Sequence, residues 1–190
     1  MTTGRMEAFS DGVLAIIITI MVLELRPPHE TSLAGLQPLL PVLGSYVMSF
    51  IYLGIYWNNH HHLLKAAEHV DGRALWANLH LLFWLSLVPF VTAWMGENNF
   101  SQWPVALYGV VLLLSGIAYF ILVRALLATH GNSLLAAALG SDFKGKISIV
   151  IYVVGILLAF VKPSIACFIY IAVAVMWLIP DRRIERKITD

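Results

Sequence analysis

Apolar runs of membrane length alternate with short polar connections along the whole chain. Six runs stand out, at 6–25, 39–64, 74–96, 104–128, 145–162 and 164–180. Each approaches the ~20 residues that a helix needs to cross ~30 Å of hydrocarbon, the last two being on the short side. Prolines punctuate the pattern. Pro27 and Pro28 close the first run, Pro163 follows the fifth, and Pro180 follows the sixth. Lipid offers no partner to open backbone groups, so such runs must be helical. The pattern predicts an all-α, polytopic membrane protein, with residues 1–190 forming a single six-helix transmembrane domain.

Composition and charge sharpen this picture. The chain has 190 residues, 59% of them hydrophobic and 12% charged, which leaves too little polar surface for a soluble domain of this size. With six spans, Arg5, Lys65, Arg73, Arg124, Lys144, Lys146, Arg182, Arg183, Arg186 and Lys187 fall on one side. Only Arg26 and Lys162 fall on the other. The positive-inside rule then makes both termini cytoplasmic, in a multi-pass protein of the cell (plasma) membrane. Glu7 and Asp11 interrupt any signal-peptide core, so the first run is expected to be retained. The formal net charge of +1 gives no reason to expect a nucleic-acid partner, and the lone Cys167 cannot form an intrachain disulfide.

The first helix carries two faces. At about 100° per residue, Ile16, Ile20 and Leu23 share one apolar stripe, bordered by Gly12 and Thr19. Asp11 lies roughly 140° from Ile16, and Ser10 about 120° away on the other side. A carboxylate inside a membrane seldom faces lipid and needs hydrogen-bond donors. Trp57, His60, His61, Trp76, Asn78 and His80 are candidates on the second and third helices, and Arg5 can approach from the water interface. The expected result is a structural polar network of Arg5, Phe9, Ser10, Asp11, Trp57, His60, Asn78 and His80 that holds the helices in register. A transported-ion or proton site is the alternative. Gly12 and Ala8 permit close backbone approach, and Glu24 stands at the outer end.

The stretch Arg5-Met-Glu-Ala-Phe9-Ser10-Asp11 resembles the R-x-x-x-F-S-D signature of the transmembrane protein 175 family of lysosomal and bacterial potassium-permeable channels. The likeness continues through Trp57 and His60, Asp71, Asn78, and the run from Ser86 to Phe90. It covers the first half well and the second half by hydropathy alone. The resemblance implies four copies of this one-unit chain, a homotetramer with each first helix lining a central pore that passes potassium and other monovalent cations. It also implies a hydrophobic constriction at Ile16, further rings at Ile20 and Leu23, and a contribution of Thr19, with Ile16, to ion selectivity. The family lacks a carbonyl-lined filter, and no T-V-G-Y-G-like loop lies between spans here. Rings of this kind shut a pore by dewetting.

Two other classes compete. A proton-coupled secondary transporter or a proton-permeable channel is one, with His60 as a group able to regulate opening. A histidine-rich membrane metalloenzyme is the other, because His60, His61, His62, His69 and His80 lie close in sequence. Adjacent histidines on a helix diverge by about 100°, and no H-x-x-x-H pair is present within that run, so neither enzymatic activity nor a metal or cofactor is expected. Arg124 is a single basic residue rather than a voltage-sensing ladder.

Overall fold

The computed structural model describes residues 3–67, 69–130 and 143–178. Within them the chain is almost wholly helical. Helix α1, Gly4–Met21, tightens into a 3₁₀ turn at Val22–Glu24 before the Pro27–Pro28 pair. A 3₁₀ segment, Leu33–Leu39, leads into α2, Leu40–Ala66, which has Pro41 in its first turn, where a missing N–H costs nothing. Helix α3 spans Gly72–Ser86 and α4 spans Val88–Glu97. Helix α5 is Gln102–His130, α6 is Phe143–Ala159 and α7 is Pro163–Leu178.

Local chemistry sets several boundaries. Asp71 caps α3, its Oδ1 accepting from the Ala74 N–H at 2.9 Å. The third apolar run, expected as one helix, breaks at Leu87 into α3 and α4. Pro89 cannot donate to the carbonyl four residues earlier, and its ring crowds that carbonyl, so the run kinks. The α4–α5 connection reverses through Asn99 and Phe100, both at positive φ. There the Phe100 N–H closes back on the Met95 carbonyl at 3.0 Å.

Four runs, Gly4–Glu24, Leu33–Ala66, Gly72–Glu97 and Gln102–Ala128, are long and apolar enough to cross a membrane. The 17 residues of α6 and 16 of α7 reach only about 25 Å each, as their short runs foretold. Residues 179 and 180 of the expected last helix, and the basic tail with Arg182, Arg183, Arg186 and Lys187, lie outside the described residues. The arrangement is that of a polytopic helical membrane protein.

Helix α5 is the centre of the bundle and packs on α3, α4, α6 and α7. Helix α1 packs on α2, α3 and α4. Apolar burial alone does not hold helices together in lipid, so close packing and hydrogen bonds must contribute. The Tyr170 ring of α7 is seated against Gly109 of α5 and Gly155 of α6, where a Cβ at either glycine would strike it. Around it, hydroxyls link five helices. Tyr108 donates to Ser49 at 3.0 Å, Ser49 to Thr92 at 2.6 Å, and Thr92 to the Val88 carbonyl at 2.6 Å. Tyr152 donates to Tyr52, which donates to the Tyr170 carbonyl.

Candidate functional site: the two faces of the first helix

The inward face of α1 buries Met6, Ser10, Leu14, Ile17 and Met21. Ser10 is completely buried and donates to the Met6 carbonyl at 2.8 Å. Asn78 of α3, 2% exposed, donates through Nδ2 to Ser10 Oγ at 2.9 Å. Its Oδ1 accepts from His60 Nε2 of α2 at 2.8 Å. The Asn78 amide orientation forces that tautomer on a neutral His60, because Oδ1 can only accept. The bonds run in one direction, from His60 to Asn78 to Ser10 to the Met6 carbonyl, and they tie three helices at one level. The remaining His60 nitrogen, Nδ1, is buried without a partner among the described residues.

A second polar row lies beside the first. Glu7 and Asp11 are one turn apart on α1, and Trp57 and His61 are one turn apart on α2. Trp57 Nε1 donates to Asp11 Oδ1 at 3.0 Å. His61 Nδ1 meets Glu7 Oε1 at 2.7 Å, and the His61 ring stacks on Trp57 with centroids 6.1 Å apart. This row is half-buried, unlike the Ser10 row. The Glu7–His61 pair was not anticipated from the sequence, although the matched four-residue spacings on the two helices were there to suggest it.

The structure thus brings Ser10, Asp11, Trp57, His60 and Asn78 together. It places the other members of the expected network elsewhere. His80 is exposed and accepts from Trp84 Nε1 one turn along α3, at 2.9 Å. Trp76 is exposed on α3. Arg5 is exposed and makes no ion pair among the described residues. Phe9, 55% exposed, sits seven residues before Ile16 and so falls on the outward stripe rather than among the polar groups. Helical periodicity assigns a residue to a face of its own helix but does not say which neighbour that face meets.

On the outward face, Ile16 is 62% exposed, Ile20 42% and Leu23 72% within the single chain. Thr19 is exposed beside them, its hydroxyl donating to the Ala15 and Ile16 carbonyls at 2.9 and 3.0 Å. Ala8, Gly12 and Ala15 continue this face as small residues. Glu24 is half-buried at the end of the 3₁₀ turn. The helix is fastened behind by hydrogen bonds and bare in front.

This bundle, its first helix fastened behind and bare in front, belongs to the class of polytopic helical membrane proteins. The family model described as the endosomal/lysosomal potassium channel TMEM175 matches residues 5–89. A relative from Chryseobacterium, named a potassium channel, is 57% identical over 191 residues, covering all of both chains. Another named potassium channel, from Streptomyces collinus, is 35% identical over 125 residues, or 62% of this chain and 61% of that one. The solved structure of a lysosomal potassium-selective channel TMEM175 homologue from Chamaesiphon minutus superposes with a TM-score of 0.81 at 26% identity, covering 94% of this chain and 97% of that one. The chain belongs to the TMEM175 family, a family of ion channels and not of enzymes, in which the bacterial relatives are named potassium channels and those from Gallus gallus and Homo sapiens proton channels.

Proposed function

We propose that the chain is a potassium-permeable cation channel of the plasma membrane, built from four copies of one six-helix unit around a central conduit lined by α1. The observation that carries this reading is the division of α1. Ser10, Asp11 and their partners on α2 and α3 fix its back, while Ile16, Ile20 and Leu23 stand exposed on its front. The names of the bacterial relatives, which are potassium channels, supply the ion. The ten-to-two distribution of basic residues supports cytoplasmic termini.

In the assembled pore Ile16, Ile20 and Leu23 form successive apolar rings. An ion entering such a ring loses hydration with nothing to replace it, so a narrow ring closes the path and a slightly wider one rewets it. Thr19 lies between the first two rings. Its hydroxyl proton is held by carbonyls of its own helix, which leaves the oxygen lone pairs for a partly dehydrated cation. The buried His60–Asn78–Ser10 bonds hold the helix at the rotation that presents these residues and do not touch the ion.

The test is the reversal potential of purified, reconstituted protein under opposed potassium and sodium gradients. Wild type is expected to favour potassium, and Ile16→Ala and Thr19→Val to move the reversal potential toward the sodium value. Saturable flux driven by a proton gradient, with no ion-gradient current, would instead identify a coupled transporter.

A further inference from the structure

Away from α1, a cavity of about 40 Å³ lies between α2, α5, α6 and α7. That is room for about three waters or one compact polar group. Six of its eleven described lining residues are aromatic, and none of these eleven carries a formal charge. The rings are set as walls. Tyr56 and Tyr119 meet at 70° with centroids 6.2 Å apart, and Tyr119 and Trp177 at 79° and 6.2 Å. Rings at such angles wall the cavity with aromatic surface, whose electron-rich faces are favoured by cations.

The polar atoms of the box select by sign. Most of its donors are already committed: Trp177 Nε1 to Ser148 at 2.9 Å, one Asn59 Nδ2 hydrogen to the Ile55 carbonyl at 2.8 Å, and the Tyr119 hydroxyl to the Asn59 carbonyl at 3.2 Å, which leaves the Tyr56 O–H and the second Asn59 amide hydrogen. An anion would find ring faces and few free donors. Asn59 Oδ1 and the Tyr56 hydroxyl oxygen have no hydrogen bond among the described residues, so acceptors remain. We infer that this cavity binds the primary ammonium group of a small organic cation, its charge against the rings and its N–H groups on Asn59 and Tyr56. That chemistry occurs both in free alkylamines and in ethanolamine lipid headgroups. The inference does not depend on which helix lines a pore.

Titration calorimetry of the purified protein in detergent tests it, with ethanolammonium chloride as probe and 1-propanol as a neutral molecule of similar size. Ethanolammonium should bind saturably and at least about tenfold more tightly than 1-propanol, since a tenfold preference corresponds to about 1.4 kcal/mol. Gly116→Ala provides a variant that folds. Its added methyl meets Tyr152 and Tyr56 only at 3.8 and 3.9 Å, so it fits while taking up part of the space. Binding should weaken about tenfold in Gly116→Ala with an unchanged size-exclusion profile, and persist in Ile16→Ala. Nanodiscs of phosphatidylethanolamine and of phosphatidylglycerol separate the sources. Suppression of the ethanolammonium signal only in the former identifies a lipid headgroup, and equal binding in both identifies a free amine. Equal affinity for 1-propanol, no saturable binding, or indifference to Gly116→Ala would overturn the inference and leave a cavity that holds water.

Discussion

The two faces of α1 are made of different physics. On the back, Ser10 is fully buried and Asn78 nearly so, and hydrogen bonds join α1, α2 and α3. On the front, Ile16 and Leu23 expose most of their surface and touch little of their own chain. The back is hydrogen-bonded within the chain, whereas the front is bare. Directional bonds set how the helix is rotated, and that rotation decides which apolar residues are shown. The difference teaches that Ser10 and Asp11 fix the orientation of α1 from the face opposite its exposed apolar stripe.

The strongest way to break this contrast is to remove the middle of the relay. Asn78→Leu leaves both Ser10 Oγ and His60 Nε2 buried without their shared partner. It should cost about 3 kcal/mol or more, read as a lower midpoint of thermal unfolding in detergent and loss of the assembled species on size exclusion. Asp11→Ala removes one half-exposed bond to Trp57, and its expected cost is about 1 kcal/mol, with reduced yield and some loss of assembly. Asp11→Asn keeps an acceptor oxygen and should restore most of that loss. Glu7→Gln weakens a partly exposed pair with His61 and should change stability by under about 1 kcal/mol. On the front, Ile20→Ala should leave the unfolding midpoint near that of wild type while raising ion leak into liposomes. A reversed pattern, with Ile20→Ala unfolding the protein and Asn78→Leu harmless, would undo the division.

Much of this fold was legible from apolar run length, because lipid allows only helices to span it. The break at Leu87 was also written in the sequence, as Pro89, but a hydropathy pattern averages across it. The front stripe followed from helical periodicity, and so did the need of Ser10 and Asp11 for donors. The choice of donors was only partly readable. Asn78, His60 and Trp57 arrive at the right level, whereas His80 turns to Trp84 on its own helix; the outward position of Phe9 was readable from its seven-residue spacing to Ile16. Depth along a helix can be counted from its end, but the azimuth of a neighbouring helix depends on packing that no single segment encodes. The hydroxyl links of Ser49, Thr92, Tyr108 and Tyr152 were not read at all, since tyrosines in apolar helices look like ordinary core residues until their partners are in place.

The most direct measurement is cysteine accessibility during permeation. In a Cys167→Ser background, Ile16→Cys and Ile20→Cys are compared with Val153→Cys, which is similarly exposed on α6. A water-soluble thiol reagent should block potassium flux through the two α1 variants and leave the Val153→Cys protein conducting. Block through Val153→Cys with none at Ile16→Cys or Ile20→Cys would contradict the account and place the ion path along another helix.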